Sequence, residues 1–145
     1  MKIICGSDHG GYRYKQTLLA YLKEKGYEVE DVGCFDENSC DYPDYALPVA
    51  KAVAEKRADF GILICGTGIG MSIAANKVKG IRASLCHDVF SAKATRHHND
   101  SNILCMGARV IGEGLMLEIV EAYLSSSFDG GRHEKRVEKI SQIEF

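Results

Sequence analysis

One stretch in the middle of the chain, residues 60–72, constrains the fold more than any other. Phe60–Cys65 is a continuous apolar run, typical of a strand that is buried on both faces. Glycines at three alternate positions follow it, and helix-forming residues come next. This pattern predicts a strand, a loop and a helix, with Cys65 at the carboxyl end of the strand beside N–H groups that can surround an anion. Two interpretations stay open: a base or nucleophile beside an anion site, or a tight turn that holds a buried structural cysteine.

The rest of the chain alternates between strand and helix patterns. The predicted strands are Lys2–Gly6, Glu28–Gly33, Phe60–Cys65, Ala83–Cys86 and Ile103–Met106. The predicted helices are Tyr12–Lys25, Tyr45–Lys56 with a start at Pro43, Ile69–Lys77, Val89–His97, Glu113–Ser125 and Arg132 to about Ile140. Such alternation predicts a parallel sheet covered by helices on both faces. We therefore expect one α/β domain over residues 1–145, with its ligand at the carboxyl ends of the strands.

Composition excludes several classes of function. A net charge of −2 over 145 residues gives no electrostatic basis for binding nucleic acid or an anionic membrane surface. The apolar runs are shorter than a bilayer span, and the first residues do not resemble a signal peptide. None of the six cysteines forms a CxxC pair, which favours free thiols in a cytoplasmic protein over disulfides or a zinc site.

Two polar groups besides Cys65 are candidates for a site. Asp8 and His9 follow the first predicted strand, where they can bind hydroxyls or transfer protons. The alternative is that Asp8 only caps the next helix. Of the adjacent residues His97 and His98, at most one can face a given site, and either can instead complement a helix dipole.

A third candidate lies near the end of the chain. Arg132 and Arg136 are four residues apart, so on a helix they share a face and can clamp a phosphate. A solvated helix surface is the alternative. The sequence offers no set of residues at metal-ligand spacing.

Six motifs, in order and with matching spacing, carry a resemblance over essentially the whole chain. They are Ser7–Gly11, Asp41–Pro43, Ile64–Gly70, His98–Asn99, Gly107–Arg109 and Gly130–His133. The chain thereby resembles the type B ribose-5-phosphate isomerases, a family that also includes the galactose-6-phosphate isomerase subunits. The resemblance implies a Rossmann-like three-layer sandwich with a five-stranded parallel sheet. It also implies a homodimer, in some members paired into a tetramer, and no metal or organic cofactor.

The resemblance also implies roles for individual residues. Cys65 corresponds to the base that moves a proton between C1 and C2, His98 to the acid that opens the sugar ring, and Thr67 to a third catalytic residue. The substrate-binding residues that it implies are Asp8, His9, Tyr42, Gly66, Thr67, Gly68, Ile69, Gly70, Asn99, Arg109, Arg132 and Arg136. It further implies a site shared by two subunits, with the C-terminal helix, about 132–141, packed on the partner.

The implied reaction interconverts ribose 5-phosphate and ribulose 5-phosphate in the pentose phosphate pathway, through ring opening and a cis-enediolate. An alternative substrate is a hexose 6-phosphate such as allose 6-phosphate. Two other classes of protein are a thiol-transfer enzyme that uses Cys65 and a non-catalytic module that binds a sugar phosphate or nucleotide. The first lacks a CxxC partner for Cys65, and the second leaves the acid, the base and the arginines unexplained.

Overall fold

The computed structural model describes residues 1–143, and these residues form alternating strands and helices. The strands are β1 (Lys2–Ser7), β2 (Glu28–Asp31), β3 (Phe60–Cys65), β4 (Ala83–Leu85) and β5 (Ile103–Gly107). The helices are α1 (Tyr12–Glu24), α2 (Pro43–Ala54), α3 (Ile69–Ala75), α4 (Val89–Asn99), α5 (Glu113–Leu124) and α6 (Arg132–Ser141). The predicted fold class, a three-layer α/β sandwich with a five-stranded parallel sheet, is confirmed. In the described part of the chain no helix is both long and apolar enough to span a membrane.

The two faces of the sheet form two separate cores because side chains alternate along each strand. On one face, Ile62 and Ile64 of β3 pack with α1 and α5. On the other face, Leu63 and Cys65 pack with α2 and α3. β3 is therefore buried on both sides, which explains its uninterrupted apolar sequence.

The strand order determines where a ligand can bind. The sheet has the order β2-β1-β3-β5-β4, so the chain leaves β1 toward one edge and returns to place β3 on the other side of it. At such a reversal the loops after the two strands separate and leave a crevice at their carboxyl ends. Asp8–His9 and Cys65–Gly70 follow β1 and β3, so they flank this crevice.

Some boundaries differ from the predicted ones because side chains intervene. α3 ends at Ala75 rather than Lys77, since Asn76 exchanges two hydrogen bonds with the main chain of Ala83. α4 continues to Asn99, where Asp100 adopts a left-handed conformation and accepts a hydrogen bond from Arg96. A short 3₁₀ turn over His9–Gly11, absent from the sequence prediction, precedes α1.

A buried lysine fixes the loop that leaves β2. The Lys15 side chain is fully buried, and its Nζ donates hydrogen bonds to Asp31 Oδ1 and to the Cys34 main-chain oxygen, both at 2.6 Å. Burial strengthens such charge-assisted contacts. Lys15 thus ties α1 to the start of the loop that reaches the crevice.

Candidate active site

The Cys65 thiol lies at the carboxyl end of β3 and is 5% exposed. Its Sγ accepts a hydrogen bond of 3.0 Å from the N–H of Gly68. Gly68 has a φ of +77°, and a Cβ there would lie 2.7 Å from the main-chain carbonyl carbon of Met106. Glycine is thus the residue that fits this position, and its N–H points at the sulfur. This hydrogen bond fixes the sulfur beside the glycine loop, at the mouth of the crevice.

Burial keeps four other cysteines in the protonated form. It raises the pKa of the Cys5 and Cys105 thiols far above the ordinary value. It also raises the pKa of Cys86 to about 11 and increases that of Cys34. Desolvation of the charged form is the largest cause in each case. None of these four thiols is available as a base at neutral pH.

The turn after β1 packs directly against the end of β3. A Cβ at Gly11 would overlap the main-chain oxygen of Ile64, so a glycine is needed for this close approach. Asp8 is 8% exposed, and its Oδ1 accepts a hydrogen bond of 3.1 Å from the Gly11 N–H. The capping role that the sequence left open for Asp8 therefore exists. It uses one carboxylate oxygen and holds the carboxylate beside the β3 loop.

His9 is oriented by a residue that sequence reasoning did not select. The Cys40 N–H donates to His9 Nδ1 at 3.2 Å, so Nδ1 is an acceptor and a neutral ring carries its proton on Nε2. The Nε2–H can then donate to a ligand. Cys40 lies 31 residues from His9 and contributes its main chain, so no residue pattern indicates the contact.

Three further predicted residues lie around the glycine loop. The Arg109 guanidinium is 3.5 Å from the position of a Cβ on Gly66, and the Arg109 N–H donates to the Gly66 oxygen at 2.9 Å. The Tyr42 ring packs on Gly70 and leaves no space there for a side chain. Thr67 Oγ1 accepts a hydrogen bond from the Ile69 N–H at 3.2 Å, which leaves its own O–H free to donate.

His87 supports this loop from the neighbouring strand, although the sequence prediction did not include it in the site. Its Nε2 accepts a hydrogen bond of 3.0 Å from the Gly107 N–H. Gly107 in turn packs on the main chain of Thr67. A Cβ on residue 107 would lie only 2.6 Å from that main chain. The available signal was its place directly after β4, where ligand-facing residues of parallel sheets concentrate.

The remaining predicted residues lie at the opposite end of the strands, near their amino ends. α4 starts after the carboxyl end of β4 and runs back to the amino end of β5, where Ile103 pairs with Gly61. The 11 residues of α4 span about 16 Å at 1.5 Å per residue. His98 and Asn99, at its end, are thus on the order of 15 Å along the strand direction from Cys65. One chain does not bring the candidate base and the candidate acid together.

His98 and Asn99 form a second group of candidate residues together with residues of α6. The first group is the one around Cys65, at the carboxyl ends of the strands. The rings of His98 and His133 stack at 4.4 Å between centroids. Arg132 and Arg136 are exposed and form no ion pair with an acidic residue within residues 1–143. Desolvation, then coulombic interaction with His98, Arg132 and Arg136, lowers the pKa of His133 below its ordinary value. Two unpaired arginines one helical turn apart form a site that suits a phosphate.

Residues that could hold a metal occur within this second group. Ligand atoms of His98, Asp129 and His133 all lie within 4.8 Å of one another. They come from two different helices and a loop, so their spacing in the sequence does not indicate a metal site. Cys65, Asp8 and His9 are not part of this cluster.

Known proteins similar to this chain share both its sequence and its fold. Residues 3–140 match the family model described as Ribose/Galactose Isomerase. Ribose-5-phosphate isomerase B of Escherichia coli (strain K12) is 51% identical over 143 residues, which cover 99% of this chain and 96% of that protein. The solved structure of Clostridium thermocellum ribose-5-phosphate isomerase B is 54% identical, with a TM-score of 0.98 and coverage of 99% and 97%. Ribose-5-phosphate isomerase B from Mycoplasma genitalium, solved with bound ribulose 5-phosphate, is 40% identical, with a TM-score of 0.95 and coverage of 99% and 95%.

Proposed function

The chain belongs to the ribose/galactose isomerase family, and from this premise we propose how it interconverts ribose 5-phosphate and ribulose 5-phosphate. It is an aldose–ketose isomerase that acts on a sugar phosphate. The observation that carries the proposal is the position of the Cys65 thiol, which accepts a hydrogen bond from the Gly68 N–H at the crevice between β1 and β3. A poised base beside main-chain donors is what proton transfer next to a carbonyl requires.

The chemical step begins with the open-chain aldose. The Cys65 thiolate removes the proton from C2, the C2–H electrons form the C1=C2 bond, and negative charge develops on the carbonyl oxygen. N–H groups of the loop over residues 66–70 and the Thr67 hydroxyl donate to the oxygens of this cis-enediolate. The proton on O2 moves to O1, the thiol returns its proton to C1, and O2 becomes the ketose carbonyl. Every atom of the substrate is retained, so the step needs no external oxidant or reductant.

Ring opening and phosphate binding use the second group of residues. His98 protonates the ring oxygen as its bond to C1 breaks, and the C1 hydroxyl releases its proton to water, which gives the open-chain aldehyde. Arg132 and Arg136 hold the phosphate, with Asn99 beside the sugar. These residues lie about 15 Å from Cys65 of the same chain along the strand direction. We therefore propose a homodimer in which the second group of one subunit, including α6, completes the first group of the other. An isologous dimer forms two such sites.

Exposed apolar residues beside the glycine loop support an interface at this location. Ile69 and Ile73 lie one turn apart on α3, directly after the loop, and are 51% and 59% exposed. Exposed apolar side chains of this size suit contact with a second subunit. They lie next to Cys65, at the site to which one chain does not bring the proposed acid His98. Six free cysteines favour the reducing cytoplasm as the place where this dimer works.

Replacing either arginine by alanine should raise KM for the sugar phosphate about 10- to 100-fold, because each loses a charge-assisted hydrogen bond. Arg132→Lys should recover only part of the loss, since an ammonium group lacks the planar fork of a guanidinium. Lys135→Ala removes an exposed cation from the same helix and is the matched control. Steady-state kinetics of the four variants test this assignment. Unchanged KM in both alanine variants would show that α6 presents only a solvated surface.

The reaction itself is tested by incubating the protein with ribose 5-phosphate and measuring the ribulose 5-phosphate formed. A parallel assay with allose 6-phosphate tests the longer substrate, which differs by one hydroxymethylene group. We expect kcat/KM to be higher for the pentose phosphate. Turnover of the hexose phosphate alone would assign the longer substrate, and turnover of neither would refute the proposal.

A further inference from the structure

Three side chains at the junction of α4 and α6 are arranged as a potential cation site. His98 is in the last turn of α4, His133 is in the first turn of α6, and Asp129 lies in the loop between α5 and α6. One ligand atom from each residue lies within 4.8 Å of those of the other two. Donor atoms around a tetrahedral zinc ion are roughly 3–3.5 Å apart, given bonds of about 2.0–2.2 Å. One imidazole must rotate out of its stack with the other before both rings can bind one ion at that separation.

The chemistry of the three donors selects the class of cation. Two imidazoles and one carboxylate suit zinc and other first-row divalent ions, whereas calcium and magnesium prefer oxygen donors alone. Three protein ligands leave a fourth position for water. His98 and His133 come from different helices, and their rings stack nearly parallel. The rings are therefore close before any ion binds, and binding replaces the stack by coordination in the plane of each ring.

A second observation concerns the residue that holds Asp129. His97 Nδ1 lies 3.2 Å from Asp129 Oδ1 and 2.9 Å from the Ser127 main-chain oxygen, so this nitrogen carries a proton shared between two acceptors. The Asp129 N–H also donates to the His97 oxygen at 3.1 Å. Partners of this kind orient the carboxylates that bind metals. The adjacent histidines thus divide the work: His98 faces the cluster and His97 holds one member of it.

We propose that His98, Asp129 and His133 form an inhibitory site for Zn²⁺ and similar first-row divalent cations. An ion bound there occupies the imidazole that opens the sugar ring, so the isomerase stops while the metal stays bound. Arg132 and Arg136 repel a cation, which keeps the site weaker than a structural zinc site and makes the inhibition reversible. Inhibition rests on the proposed role of His98, whereas metal binding does not.

Asp129→Asn tests the site because it removes a ligand and leaves the proposed catalytic residues in place. Glu134→Gln removes the same charge from an exposed residue next to His133 and is the matched control. Titration calorimetry with Zn²⁺ on metal-free protein should give one ion per chain for the wild type and Glu134→Gln. The affinity should fall at least 10-fold in Asp129→Asn. Co²⁺ in place of Zn²⁺ should give the visible absorption of a four-coordinate ion in the wild type and lose it in Asp129→Asn.

Activity measured in the same samples separates the two parts of the proposal. Without metal, Glu134→Gln should isomerise ribose 5-phosphate at the wild-type rate, and inhibition of Asp129→Asn is measured against its own metal-free rate. Zn²⁺ should inhibit the wild type and Glu134→Gln, EDTA should restore both, and Asp129→Asn should resist inhibition. Equal Zn²⁺ affinity in the wild type and Asp129→Asn would overturn the site. Binding at the site without inhibition would overturn the involvement of His98, while activity in the metal-free samples would still support the isomerase function.

Discussion

Cys65→Ala is expected to lose about 100- to 10,000-fold in kcat, the usual cost of removing a general base. KM should change much less, because Cys65→Ala leaves Asp8, His9 and the arginines, the proposed substrate-binding residues, in place. The hydrogen bond from Gly68 to Cys65 Sγ ends inside the crevice, so alanine removes the base without disturbing the phosphate site. Steady-state kinetics with ribose 5-phosphate measure both constants.

Cys86→Ala is the matched control for this variant. Cys86 is also a buried cysteine just after a strand, but burial raises its pKa to about 11, so it is protonated at neutral pH. Its replacement should lower stability by creating a small cavity and leave kcat per folded molecule unchanged. Near-normal kcat in Cys65→Ala would assign the proton transfer to another group.

Sequence patterns predicted the elements next to the crevice closely, because strong local signals define them. β3 has the predicted limits, and β5 and α5 each differ by one residue. Apolar runs between turn residues leave few alternatives for such segments. The division of β3 between two cores also follows from its continuous apolar sequence.

The supporting contacts of the site could not be predicted, because they join residues that are distant in the chain and follow no local pattern. Cys40 orients His9 through its main chain, and His87 accepts the Gly107 N–H 20 residues away. The position of β5 between β3 and β4 likewise depends on tertiary packing. The placement of α4 is simpler: because β4 and β5 are parallel, α4 runs back to the amino end of β5, and His98 lies at the end of the strands opposite Cys65.

The distance between Cys65 and His98 makes the shared site the central claim of this account. The proposed mechanism needs both residues for turnover, yet α4 carries His98 away from Cys65 along its whole length. A second subunit provides a direct way to bring His98 to the base. Cys65→Ala and His98→Ala proteins should each be nearly inactive, and each should retain one intact half of the site.

Subunit exchange between these two variants tests the claim most directly. The proteins are mixed in equal amounts, allowed to exchange, and assayed with ribose 5-phosphate after mass spectrometry has verified mixed dimers. Random pairing gives about half mixed dimers, each with one site that carries both substitutions and one that carries neither. Activity should therefore recover toward roughly a quarter of the wild-type value. Activity that stays at the level of the parents, with exchange verified, would place Cys65 and His98 of one chain in the same site and contradict the account.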